Sequence, residues 1–204
     1  MKDKFIQLYE MYIKPREKEP GKLLKWLEQT DFFTAPASTR FHGNFPCGLL
    51  EHSLKVYTRL SAFNDILPYF DEDTNDSSIA IVALLHDLCK VNFYKKIFRN
   101  VKEYRDDGKL YDENGRFNWK SIIGYEVEDT WPMGHGEKSL EIVSRFIDLT
   151  NEEKLAIRWH MGFSDNSFKG GSYSVGTAME MCPLIIYLNA ADSLASTQDE
   201  RIEK

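Results

Sequence analysis

Ile79-Ala80-Ile81-Val82-Ala83-Leu84-Leu85-His86-Asp87-Leu88-Cys89-Lys90 decides how this chain is read. An apolar run of this kind is buried, and its length suits a helix through a protein core. It ends on an adjacent histidine and aspartate, which packing does not explain. Burying an ionised carboxylate is costly unless something positive pairs with it. A divalent metal is the economical partner, because it takes imidazole nitrogen and carboxylate oxygen together. Neighbouring helical residues point about 100° apart, yet at a helix end both reach one ion. Lys90 follows on the same face. It reads either as a solvated helix end complementing the macrodipole or as a phosphate-binding cation beside the metal.

Further polar residues stand in apolar or small-residue settings. His52 lies between Leu49 and Val56 on the core side of a helix-like pattern, where a carbonyl-bonded core histidine is the alternative reading. His135 sits in Gly134-His135-Gly136-Glu137, either a ligand or a loop histidine at a helix start. His160 ends a helix before Gly162, either a ligand or a complement to the helix dipole. Asp192 occupies the small-residue stretch Asn189-Ala190-Ala191-Asp192-Ser193, where a carboxylate needs a cation if it is not at the surface. The conjunction of four of the five histidines with two such aspartates favours a metal centre over separate structural roles.

Around these residues the pattern is mostly helical. Helices are expected over Lys4–Ile13, stopped by Pro15, and over Lys22–Glu28, followed by a loop from Asp31 to Pro46. Helical spacing then runs from Leu49 to Phe63, and a buried helix covers Ser77–Cys89. Residues 91–131 change character: β-branched and aromatic residues dominate, with hairpin turn signals at Asp107-Gly108 and Asn114-Gly115. Helical spacing returns at Leu140, Val143, Phe146 and Ile147, and Thr150-Asn151-Glu152-Glu153 is a capping box opening the helix that carries His160. The last helix runs through Leu184, Leu188 and Leu194, with Pro183 kinking it or marking its first turn.

The order His52, His86-Asp87, Asp192 resembles the H…HD…D signature of the HD-domain metal-dependent phosphohydrolases. His135 and His160 resemble the extra ligands of two-metal members. Gly48-Leu49-Leu50-Glu51-His52-Ser53-Leu54 is similar to the GGLLEH segment of bacterial HD-domain 3′–5′ exoribonucleases, with His42 at the position of a histidine that often precedes it. Cys47 replaces the first glycine of that segment, and the first 35 residues look helical and too short for an OB-fold nucleic-acid domain. The resemblance implies an all-α HD-domain helical bundle with a small inserted β-hairpin region at about 91–131. It is one domain over 1–204, with a helical extension at 1–35 and the HD core at 36–196. It implies one metal on His52, His86, Asp87 and Asp192, and a second on Asp87, His135 and His160. The implied activity is hydrolysis of a phosphoester of a nucleotide or short oligonucleotide by metal-activated water, with Lys90 and Asp87 as catalytic residues. A module that keeps the fold but only binds a nucleotide or a protein is the alternative. The mixed N/O donors suit Mn, Fe, Co, Ni or Zn better than Mg.

Composition narrows the partners. The net charge of −6 argues against stable duplex-DNA binding. No signal core or 18-residue apolar run appears, so a cytoplasmic protein without a membrane segment is expected. Cys47, Cys89 and Cys182 lack CxxC spacing and are expected to be reduced and buried. From Lys90 to Lys109 seven basic residues, among them Lys95, Lys96 and Arg99, interleave with Tyr94, Phe98 and Tyr104. This stretch reads either as a guide for a polyanion with stacking surfaces or as a solvated hairpin of alternating charge. Arg158, two residues before His160, is a further candidate phosphate contact.

Overall fold

The computed structural model describes residues 1–40, 42–66 and 76–200. The elements are α1 (Lys2–Leu8), α2 (Lys22–Gln29), α3 (Gly48–Ile66), α4 (Asp76–Leu85), β1 (Tyr94–Tyr104), β2 (Leu110–Asp112), β3 (Gly115–Val127), α5 (His135–Ser144), α6 (Asn151–Trp159), α7 (Asn166–Lys169), α8 (Ser174–Met181) and α9 (Leu184–Leu194). Helices dominate, but the three-stranded antiparallel sheet makes the fold mostly helical and not strictly all-α.

Helix α4 is apolar on every side, and Ser78 through Leu85 are all buried, as a central helix requires. It packs against α3 and α6, while α9 closes on α3 and α6. Phe5, Tyr9 and Ile13 join the same core cluster as Ile81, Leu84 and Leu188, so the N-terminal helices share this interior. Glu153 ties them in. Its carboxylate completes the capping box with Thr150, accepts from Ser78 Oγ at 2.7 Å and takes a bidentate pair from Arg16 at 3.0 Å. With no solvent exposure, this carboxylate has its lost hydration replaced by those donors.

Four local expectations are corrected. The first helix does not run regularly to Ile13. It widens into a π-helical turn over Tyr9–Ile13, and Pro15 sits inside the following 3₁₀ turn without stopping the chain. Pro183 does not kink the last helix but caps its start, the other of the two roles expected for it: it precedes Leu184 as the N-cap of α9, and its carbonyl accepts from the Tyr187 amide at 3.3 Å. Asp107-Gly108 turns the chain from β1 to β2, but these strands do not pair, because the sheet order is β1-β3-β2. Gly108 is needed there for close approach, since a Cβ would meet the Phe117 amide nitrogen at 2.4 Å. The β2–β3 loop is Glu113-Asn114, one residue earlier than the expected Asn114-Gly115 turn, with Gly115 (φ 120°) already paired to Asp112.

The fourth correction shapes the centre of the molecule. α4 ends at Leu85, not Cys89, and the chain continues through a turn into a 3₁₀ helix over Leu88–Lys90. The Cys89 amide donates to the Ser139 hydroxyl of α5 at 3.1 Å.

Among the described residues no helix is long and apolar enough to cross a membrane. Among the described residues the three cysteines form no disulfide: Cys89 and Cys182 are buried, and Cys47, at φ 69°, is only partly buried.

Candidate metal centre

Each imidazole is aimed by its own helix. His86 sits just past α4 and donates from Nδ1 to the Ala83 carbonyl at 2.9 Å; His160 caps α6 and donates from Nδ1 to the Ile157 carbonyl at 2.7 Å. A carbonyl only accepts, so in both rings Nδ1 carries the proton and Nε2 presents a lone pair. His52, on α3, sets its Nδ1 2.9 Å from Glu200 Oε1. The Nε2 atoms of His52, His86 and His160 are buried without a hydrogen-bond partner among the described residues. Three orphaned imidazole nitrogens beside carboxylates fit a cation that accepts lone pairs.

Asp87 stands in the middle. Its Oδ2 lies 2.6 Å from Lys90 Nζ, 3.4 Å from His52 Nε2 and 3.5 Å from His86 Nε2. Its Oδ1 lies 2.8 Å from His135 Nε2 and 3.7 Å from His160 Nε2. Asp192 Oδ1 reaches His52 Nε2 at 3.2 Å. All five histidines form a row, with ring centroids 5.3 Å apart for His42–His52, 5.4 Å for His52–His86, 4.9 Å for His86–His160 and 5.3 Å for His160–His135. Ligand atoms of His52, His86 and Asp87 lie within 4.8 Å of one another, as do those of Asp87, Cys89 and His135. The Cys89 sulfur is 3.4 and 3.5 Å from the two ring nitrogens of His135. Being equidistant from both, it lies along neither lone pair.

Two glycines permit these approaches. A Cβ on Gly136 would meet the Arg158 carbonyl oxygen at 2.0 Å, so its absence lets the first turn of α5, with His135, settle against the end of α6, with His160. A Cβ on Gly48 would meet the Gly43 carbonyl oxygen at 2.0 Å, and this contact brings the His42 loop against the start of α3.

The electrostatics are those of a site with an excess of carboxylates. Burial pulls the His52 pKa down, but Asp192, Glu200 and Asp87 outweigh it and push it up to about 9. His135 likewise rises to about 10, against burial, through Cys89 and Asp87. His160 falls to about 3 because burial is joined by repulsion from His86 and His135. Burial also lowers His86. Asp87 is held well below the usual carboxylate range, since Lys90, His86 and His135 overcome its burial.

Above the centre a cavity of about 240 Å³ opens, lined by Asp87, Lys90, His135, Asp192 and His42, with Ser164, Asn189 and Ser193 among its wall residues. The structure brings together His52, His86, Asp87, Lys90, His135, His160 and Asp192. Lys95, Lys96, Arg99 and Arg158 do not line this cavity. Arg158 pairs with Glu137 at 2.6 Å and Asp165 at 3.2 Å, and its guanidinium lies 3.8 Å over the Trp159 ring. A phosphate would have to compete with two carboxylates for it. Lys95 lies 3.7 Å from Glu128, and Arg99 donates to the Tyr125 carbonyl. Sequence reasoning missed Glu200 altogether, and it noted His42 without a role.

The family model for the HD domain matches residues 49–197. Among curated proteins and solved structures nothing matches.

Proposed function

The chain belongs to the HD-domain family, and from that premise we propose that it is a metal-dependent phosphohydrolase cleaving a phosphoester of a nucleotide or short oligonucleotide. The observation that carries this reading is the convergence of three buried, unpartnered imidazole nitrogens on Asp87. In this reading His52, His86, Asp87 and Asp192 would hold one divalent ion. Asp87, His135 and His160 would hold a second. The division follows which histidines lie nearest each oxygen of the Asp87 carboxylate. The mixed donors favour Mn, Fe, Co, Ni or Zn over Mg.

A cation bound there supplies the Lewis acidity that lets water attack phosphorus at neutral pH. The chain's own groups do the rest. The carbonyl-bonded rings of His86 and His160 stay in one tautomer and orientation. Lys90 places positive charge on the cavity wall, where charge develops on the phosphoryl oxygens. Lys95, Lys96 and Arg99 at the start of β1 are read as capturing the substrate from solution. Support for Lys96 comes from the sheet face it shares with Phe98, Trp119 and Ile123, on which Phe98 is 82% exposed; Lys95 and Arg99 alternate onto the opposite face. Arg158 belongs to this outer set only if substrate displaces Glu137 or Asp165. We read the whole of 1–204 as one cytoplasmic domain, with its HD core at 36–196.

The test is metal analysis of the purified protein followed by hydrolysis of bis(p-nitrophenyl) phosphate with added Mn²⁺, then a panel of nucleotides, cyclic dinucleotides and short oligonucleotides. Bound metal and turnover are expected. Metal retention without hydrolysis of any of these would favour the module that binds a nucleotide or protein and performs no chemistry.

A further inference from the structure

We propose that Glu200 is a positioning residue for the metal centre, held in place by a clamp between the end of the chain and α3. This deepens the metal-centre reading and rests on it. Glu200 lies beyond the matched segment 49–197 and 148 positions from His52, yet its Oε1 is 2.9 Å from His52 Nδ1. Both side chains are essentially without solvent exposure.

The contact has a definite chemical meaning. A carboxylate accepts the Nδ1 proton, which leaves Nε2 as the lone-pair donor aimed at Asp87 and Asp192. It also raises the basicity of that lone pair. His86 and His160 receive their orientation from carbonyls of their own helices, three residues earlier. His52 obtains the same service from a distant part of the chain, and from a charged group.

The approach of Glu200 is built, not incidental. After α9 the chain follows a π-helical turn over Ala195–Asp199 that runs back along α3. Asp199 forms a two-pronged ion pair with Arg59, whose Nε lies 2.9 Å from Oδ2. Lys55 Nζ donates to the Asp199 carbonyl at 3.0 Å. Lys55 and Arg59 lie about one and two helical turns beyond His52 on α3, so one helix carries both the imidazole and the groups that fix its partner. The second Glu200 oxygen is buried without a hydrogen-bond partner among the described residues, and it lies 3.3 Å from where a Gly43 Cβ would stand. The glycine leaves room for this carboxylate.

The experiment compares wild type, Glu200→Gln, Glu200→Ala and Arg59→Ala. Mn²⁺ affinity is measured by calorimetry, and the melting temperature is measured with and without Mn²⁺. Glu200→Ala is expected to weaken Mn²⁺ binding by roughly 10–100-fold. Glu200→Gln keeps the shape and an acceptor oxygen, so it should lose less and melt like wild type without metal. Arg59→Ala, which frees the clamp but leaves the carboxylate, should fall between wild type and Glu200→Ala. At saturating Mn²⁺ the KM for substrate should stay unchanged in all three. The inference is overturned if Glu200→Gln and Glu200→Ala bind Mn²⁺ as wild type does. It is equally overturned if affinity falls only as far as the metal-free melting temperature falls, which would mark a structural role. Wild type that binds no Mn²⁺ would instead defeat the underlying metal-centre reading.

Discussion

The histidine-lined centre and the sheet at residues 94–127 are both rich in charge, but they use it in opposite ways. In the centre, Asp87 is buried and every neighbour is specified: Lys90 on one oxygen, His135 on the other, His52 and His86 close by. On the sheet, Lys102 pairs with Asp112, Lys120 with Glu103 and Arg105 with Asp107, all on side chains at least partly open to water. Exposed pairs contribute little and rearrange easily. A buried charge left without its partner is costly. Substitutions should therefore act sharply in the centre and mildly on the sheet.

The strongest challenge to that contrast is Asp87→Asn. It removes the charge shared by both halves of the proposed site, and kcat/KM should fall by more than about 10³-fold, with loss of bound metal. Turnover and metal content within ten-fold of wild type would erase the distinction. Lys90→Ala should come next, lowering kcat by roughly 10²–10³-fold while metal stoichiometry holds. If metal is lost in parallel, Lys90 serves only to stabilise Asp87.

A third measurement follows metal-free protein across pH. His52 has a folded pKa raised from 6.5 to about 9, so its stabilising contribution is complete below 6.5 and is lost as pH rises through 9. His135 acts in the same sense up to about 10. His160, depressed to about 3, contributes in the other direction: its stabilisation is present above 6.5 and is lost as pH falls towards 3. The melting temperature of chelated protein should therefore decline on both sides of about pH 6.5. Saturating Mn²⁺ should flatten the alkaline limb, because the cation replaces the proton on His52. An alkaline limb that is the same with and without Mn²⁺ would show that the ion binds elsewhere.

The smallest effects belong to the sheet. Lys95→Ala, Lys96→Ala and Arg99→Ala should each change stability by less than about 0.5 kcal/mol. They should raise KM a few-fold for an oligonucleotide and less for a mononucleotide, with kcat unchanged. Equal effects on both substrates would leave the sheet as a solvated structural element.

The same division explains what the sequence disclosed. His86-Asp87 was legible because an apolar run with a polar end poses a problem of burial that few arrangements solve. The capping box at Thr150 was legible because its reciprocal bonds depend on residues three apart. Glu200 was not, since nothing in local spacing relates a terminal carboxylate to a histidine 148 positions earlier. The strand order was hidden for a related reason. Asp107-Gly108 has the composition of a hairpin turn, but whether β1 pairs with β2 or with β3 depends on the longer ladder available along β3. The end of α4 was misplaced because Leu88 and Cys89 continue the apolar pattern, and only the tertiary contact from Ser139 to the Cys89 amide marks the departure from helix.

That departure bears on how the protein tolerates optimisation. Across residues 86–90 the chain leaves the α-helix, the His86 amide making a last helical bond to the Val82 carbonyl, so that two neighbouring side chains face one point, and a hydroxyl from α5 answers a backbone amide in the break. A pair of changes that favours helix there and removes both members of the buried ion pair, such as Asp87→Ala with Lys90→Leu, would extend α4 without leaving a buried charge unpaired, while turning the reactive groups apart. Selection for heat resistance alone would drift towards such sequences. A library screened only for survival on heating should accumulate them at these five positions and lose function before it loses fold.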